Sequence, residues 1–265
     1  MNMDFEHEIN RDMAICHTDY YTAEQFNEKF NIHHNDKLSD INHSTPTEMS
    51  NNCNTSKHLY SLLHLNARSI NKNFDSIDLL LSSINNFQFS VIGITETWLH
   101  KNSPPIFNIN NYNILRDDRK RRRGGGVALY VNESLTFKNR QDIHIKGTEN
   151  IFIELTNNFS KNLIIGVIYK PPNSSVDAFL EKLEHILNTL AGENKPIYLM
   201  GDYNIDILPS KQNNNSLKLL NTLSSYSLHP HINKATRIST NSETLIDNIF
   251  SNVINTDFSN GILVL

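Results

Sequence analysis

The sequence predicts an α/β (α+β) sandwich. From His58 onward, short apolar strands alternate with amphipathic helical segments, the pattern of sheets covered by helices. The chain has 265 residues, 38% hydrophobic and 20% charged, enough for one domain of ordinary core size with chain to spare. In chain order, strands are expected at LYSLLHL, FSVIGIT, YNIL, GVALYV, NIFIEL, NLIIGVIY, PIYLMGD and TLIDNIF. Between the first two, Phe74, Ile77, Leu80, Leu81 and Ile84 recur at helical spacing and form one apolar face. Val176, Phe179, Leu180, Leu183, Ile186, Leu187 and Leu190 form a second, with Ser174 or Ser175 as its cap and Asp177 in its first turn. A third helix is expected over NSLKLLNTLSSY. Residues 1–56 are rich in Asn, His, Ser and Thr, with one weak helical segment at YTAEQFNEKF. They read as a mostly disordered leader before a domain at 57–265.

Composition narrows the function classes. The only two cysteines, Cys16 and Cys53, lie in the leader, which excludes a disulfide framework and fits a reducing compartment. Histidines crowd the leader too, but without the spacing of a zinc site. No stretch has the length of a membrane span and the N-terminus lacks a signal-peptide core, so a soluble intracellular protein is expected, with no membrane partner. A net charge of -4 argues against a general basic coat for nucleic acid. It is compatible with an enzyme that gathers carboxylates at a metal and keeps its cations local. One dense cationic patch exists, RDDRKRRRGGG, Arg116 to Gly126.

Polar residues stand where apolar strands stop or are punctured: Asn66 after LLHL, Glu96 after VIGIT, Tyr169 and Lys170 at the end of LIIGVIY, Asp202 and Asn204 in YLMGDYNID, and Asp247 inside TLIDNIF. Singly, each has an ordinary explanation as a turn, cap or rim residue. Together they suggest one cleft, because ligands of open sheets bind beyond strand ends. The set suits metal-assisted phosphoester hydrolysis. A hard cation such as Mg2+ (or Mn2+) takes oxygen ligands from one or two carboxylates, with water and phosphate completing its shell. Glu96 and Asn66 can supply the protein's share. Asp202 can orient or deprotonate the attacking water, while the Asn204 amide and Tyr169 hydroxyl donate to phosphate oxygens. No small organic cofactor is called for.

The segments LHLNARSI, VIGITETWL, GGGVALYV, GVIYKPPN, YLMGDYNID and TLIDNIFSN, in this order, resemble the endonuclease/exonuclease/phosphatase superfamily. They are similar in particular to the apurinic-type endonuclease domain of non-LTR (LINE-like) retrotransposons. The resemblance spans roughly residues 58 to 265. It implies a four-layer sandwich of two β-sheets flanked by helices, with the site at one end between the sheets. It also implies Glu96 as principal metal ligand with Asn66 beside it, Tyr169 as phosphate contact, Asp202 and Asn204 as the water-activating pair, Asp247 as a carboxylate of the inner network, and Thr236 as a further polar contact. DNA is the implied partner and the nucleus the implied location. The family pattern ends with an Asp-His pair, and after NGILVL none follows, so the domain is expected to lack that loop and its strand. His229 and His231 are the nearest histidines in sequence that could substitute.

The run Arg119 to Arg123 can be a nuclear-import patch, a DNA-backbone contact that includes Arg119 and Lys120, or a solvated hairpin turn. The glycines after it lack the Lys-Ser/Thr of a phosphate loop and lead into a strand. Three readings result: a Mg2+-dependent DNA endonuclease, an inactive remnant of one, or another phosphoesterase of the superfamily.

Overall fold

The computed structural model describes residues 13–18, 42–44, 60–84, 87–103, 107–119, 124–156, 161–239, 242–253 and 259–263. The elements, in order, are β1 (Met13–Thr18), β2 (Asn42–Ser44), β3 (Tyr60–Asn66), α1 (Ile70–Ser83), β4 (Val91–Thr95), β5 (Tyr112–Asp117), β6 (Val127–Asn132), β7 (Phe137–Asn139), β8 (Glu149–Leu155) and β9 (Leu163–Tyr169). They continue with α2 (Val176–Ala191), β10 (Ile197–Asp202), α3 (Asn214–Ser225), β11 (His229–Pro230), β12 (Arg237–Ser239), β13 (Ser242–Thr244), β14 (Asp247–Ser251) and β15 (Ser259–Leu263). All eight strands expected from the sequence are present, TLIDNIF starting late at Asp247 because Thr244 belongs to a separate hairpin. Within the stretch read as a leader, Met13–Thr18 pairs antiparallel with β3, and Asn42–Ser44 pairs with β15.

Two sheets result, ordered β2-β15-β1-β3-β4-β6-β5 and β11-β14-β10-β9-β8-β7. Each contains one parallel pair joined over a helix: β3-α1-β4 in the first and β9-α2-β10 in the second. A parallel pair needs such a crossover, and both helices cover the outer face of their own sheet. Period-two alternation does the sorting. In β3, Leu63 and Leu65 join Ile70, Ile77 and Leu80 of α1 in one apolar cluster, while Tyr60 and Leu62 join the larger cluster that contains both the space between the sheets and the α2 side. The layers are therefore α1, sheet, sheet, α2 with α3.

The helices start as their sequences direct. Ser175 caps α2, its hydroxyl accepting from the Ala178 amide, and Asn213 and Ser216 form a reciprocal capping box on α3. Among the described residues no helix is long and apolar enough to cross a membrane.

One glycine is dictated by the parallel pairing of β9 and β10. A Cβ on Gly201 would lie 2.0 Å from the carbonyl oxygen of Ile168, a backbone atom that cannot swing away. Gly201→Ala is expected to destabilise the fold by about 3 kcal/mol in urea unfolding, the upper part of the usual overpacking range. An unchanged midpoint would show that the strand pair relaxes freely.

Candidate active site

One wall of the site is the carboxyl end of the β3-β4 pair. Its ladder continues past the strands: the amides of Ala67, Ser69 and Ile70 donate to the carbonyls of Thr95, Glu96 and Thr97 at 2.9, 2.9 and 3.0 Å. That continuation brings Asn66 beside Glu96. It costs backbone strain. Of the eight non-glycine residues with positive φ among the described residues, five are Arg68, Ser69, Glu96, Trp98 and Asn204, all at this end of the molecule. Strain of this kind persists where surrounding structure holds it, and it gathers at functional sites.

The opposite wall is the second sheet, where Tyr169, Asp202 and Asp247 lie level with one another on neighbouring strands. Two side-chain hydrogen bonds cross from sheet to sheet. Asn66 Nδ2 donates to Asp202 Oδ2 at 2.8 Å, and the Tyr169 hydroxyl donates to Glu96 Oε1 at 2.9 Å. The other Asp202 oxygen accepts the backbone N–H of Asn204 at 2.9 Å. Asn204 commits one of its amide protons to the Lys170 carbonyl at 2.9 Å. Deeper in, Thr236 Oγ1 donates to Asp247 Oδ2 at 3.4 Å, and His64 Nδ1 stands 3.6 Å from Asp247 Oδ1.

Burial sets the protonation of this cluster. It raises the Tyr169 phenol far above its ordinary value, and the adjacent Glu96 carboxylate raises it further, so the hydroxyl remains a donor. Burial lowers the Lys170 ammonium, against the opposing pull of Asp202. It lowers His64 to about 3, so this imidazole is neutral at physiological pH. Its Nε2 lies 3.3 Å from Thr95 Oγ1.

On the rim, Arg119 is the described end of the basic run. Its guanidinium lies 5.7 Å from the centre of the Tyr169 ring, and its Nε donates to Glu149, whose other oxygen accepts the Gly126 amide at 2.6 Å. Arg119 Nη2 is buried and has no hydrogen-bond partner among the described residues. Lys120 falls outside the described residues.

The structure thus brings Asn66, Glu96, Tyr169, Asp202, Asn204, Asp247 and Thr236 to one place, with Arg119 at its edge. It does not bring His229 or His231. His229 pairs with Ser251, and the His231 imidazole lies 2.7 Å from the Ser251 hydroxyl, at the end of β14 remote from Asp247. The histidine at the site is His64, which the sequence reading passed over although it stands two residues before Asn66 on the same strand face. Trp98 was also passed over. A second charged cluster, Arg140 with Asp142, Glu154 and Glu193 and Lys195 with the two glutamates, is saturated by its own ion pairs and ties β8 to the chain after α2.

The donor set fits a hard divalent cation held by few protein ligands. Among the described residues no group of three or more His, Cys, Asp or Glu side chains forms a closed cage. Glu96 offers a carboxylate whose two oxygens are each oriented by one donor, Tyr169 and Trp98, and the Asn66 amide oxygen is oriented by the Arg68 N–H at 3.1 Å. A cation that keeps several waters needs no more.

A family model described as the Endonuclease/Exonuclease/phosphatase family matches residues 52–252. Among solved structures, an AP endonuclease from Leishmania major is similar at 13% identity and a TM-score of 0.62, over 88% of this chain and 90% of that one. The endonuclease domain of TRAS1, a telomere-specific non-LTR retrotransposon, is similar at 12% identity and a TM-score of 0.54, over 71% and 83%. The Xenopus laevis APE2 catalytic domain is similar at 15% identity and 0.52, over 71% and 80%. These likenesses are likenesses of fold. No curated protein matches the chain.

Proposed function

The chain belongs to the endonuclease/exonuclease/phosphatase family, and from that premise we propose that it is a metal-dependent phosphodiesterase that nicks DNA in the nucleus, of the non-LTR retrotransposon type. The observation that carries this reading is the pair of hydrogen bonds between the sheets, Asn66 to Asp202 and Tyr169 to Glu96. They link the residues suited to hold a cation to those suited to handle water and phosphate.

Glu96 and Asn66 would hold Mg2+ or Mn2+, which when bound supplies Lewis-acid polarisation of the phosphate. Asp202, oriented by Asn66 and by the Asn204 amide, accepts a proton from the attacking water. Tyr169 donates its hydroxyl to a phosphate oxygen, exchanging or sharing its bond to Glu96. Asp247, buried between His64 and Thr236, holds the inner end of the cluster in place. Arg119, packed against the Tyr169 ring at the rim, is the residue assigned to the DNA backbone, and Lys120 follows it in sequence.

A broader reading, a phosphoesterase of the same family acting on another phosphoester, rests on the same residues. The family match favours it, because likenesses at 12 to 15% identity do not carry substrate. Purified protein is expected to convert supercoiled plasmid to the open circle with Mg2+ and to stop on chelation, without releasing phosphate from nucleotides or inositol phosphates. Phosphate release without nicking would establish the broader reading. Silence in both assays, with the cation still bound, would identify an inactive remnant.

A further inference from the structure

We propose that Trp98 positions the carboxylate of Glu96, and that the glycine run Gly124 to Gly126 is the seat that makes this possible. The inference rests on the reading of Glu96 as a metal ligand and adds to it the group that sets the ligand's orientation. Trp98 Nε1 donates to Glu96 Oε2 at 3.2 Å, and the Tyr169 hydroxyl donates to Oε1 at 2.9 Å. One donor on each oxygen fixes the rotation of the carboxylate and leaves each oxygen a further lone pair facing away from its donor. An indole N–H also carries no charge. It holds the carboxylate without neutralising it, whereas an ammonium at the same place would compete with the cation.

The backbone is shaped to put the indole there. Glu96 and Trp98 have φ of 52° and 56°, in the left-handed region that bulky residues avoid. That conformation is held by a second run of chain. The Thr97 and Trp98 amides donate to the carbonyls of Gly126 and Gly125 at 3.2 and 2.9 Å. The three glycines have φ of 89°, 70° and 83°, where a side chain would itself be strained. A Cβ on Gly126 would lie 2.6 Å from Thr97 Oγ1, too close unless that side chain shifts. The glycine stretch, which lacks the Lys-Ser/Thr of a phosphate loop, is thereby given a purpose: it lets one backbone lie close enough to another to orient a carboxylate.

Trp98 is the single tryptophan of the chain, so its emission reports on Glu96 without interference. Mn2+, a paramagnetic quencher, is the probe. In the wild type it is expected to quench Trp98 emission saturably, and in Glu96→Gln to leave it unchanged over the same range. Trp98→Phe, which removes the donor and keeps an aromatic ring, is expected to weaken Mn2+ affinity about tenfold, counted from the free-ion EPR signal, with circular dichroism preserved. Nicking should recover when Mn2+ is raised by the same factor. Should Trp98→Phe fail to fold, benzothienylalanine in place of the one tryptophan exchanges the N–H for sulfur within the same ring outline, and the same loss is expected. Absence of Glu96-dependent Mn2+ binding in the wild type would overturn the metal-ligand reading. Glu96-dependent binding with an affinity unmoved by loss of the N–H would leave that reading intact and overturn this inference.

Discussion

Asp202→Asn is expected to slow Mg2+-dependent plasmid nicking by about 10^3-fold, within the usual range for removing a positioned general base. The substitution keeps the shape of a side chain that is almost fully buried, so packing is preserved. It removes the negative charge and half of the accepting capacity: Asp202 now accepts from Asn66 through one oxygen and from the Asn204 amide through the other. An asparagine can keep one of these bonds and must turn its NH2 toward the other donor. The expected signature is a fall in kcat at saturating Mg2+, with Mn2+ binding within a few-fold of wild type, because Asp202 is assigned to water and not to the cation. A loss that vanished at high metal concentration would reassign Asp202 as a ligand. A loss of less than tenfold would remove it from proton transfer altogether.

The second large effect is a loss of stability in mild acid. His64 and His231 are both buried, and burial holds them at about 3 and about 4 where an exposed imidazole titrates near 6.5, with His229 nearby lowering His231 further. The unfolded chain therefore takes up two protons as pH falls through 6.5, and the folded chain refuses them until far lower pH. The stability that comes from keeping these rings neutral is complete above about pH 6.5 and is lost on the way down toward the folded values. With both groups active, the free energy of unfolding should fall by up to about 2.7 kcal/mol per pH unit near pH 5. Asp142, Glu154 and Glu193, held below their ordinary values chiefly through Arg140 and Lys195, add the same sign of effect at lower pH. Urea unfolding at half-unit steps from pH 7.5 to 4.5 measures this slope, and His231→Gln should halve it. A stability flat between pH 7 and 5 would mean that these rings reach water in the native state.

The parts of the site that were legible in the sequence are those that end an apolar strand. Asn66, Glu96, Tyr169 and Asp202 each terminate a run of buried residues, and parallel strands joined by helices put their carboxyl ends at one edge. What stayed hidden depends on relations that no single run displays. His64 reads as one more buried position until strand periodicity is used to place it beside Asn66 and facing Asp247. The bond from Trp98 to Glu96 depends on two left-handed residues and a glycine stretch almost thirty positions away. His229 and His231 attract notice because they are near Asp247 in sequence, yet antiparallel pairing with β14 carries them to its other end. In the fold, β7, β11, β12 and β13 have two or three residues each, too few for periodicity to mark.

The order of the sheets along the chain carries a final consequence. From Tyr60 to Asn132 the chain builds β3, β4, β5 and β6 of one sheet, and from Phe137 to Ser251 it builds the whole of the other. The candidate ligands Asn66 and Glu96 belong to the first segment, and Tyr169, Asp202 and Asp247 to the second. Neither segment contains a site. The two hydrogen bonds that complete it form only when the segments meet, and the same meeting buries the apolar inner faces of both sheets. Chemical competence is thereby tied to docking. A chain with only one half assembled would lack the residue pairs on which the proposed chemistry rests.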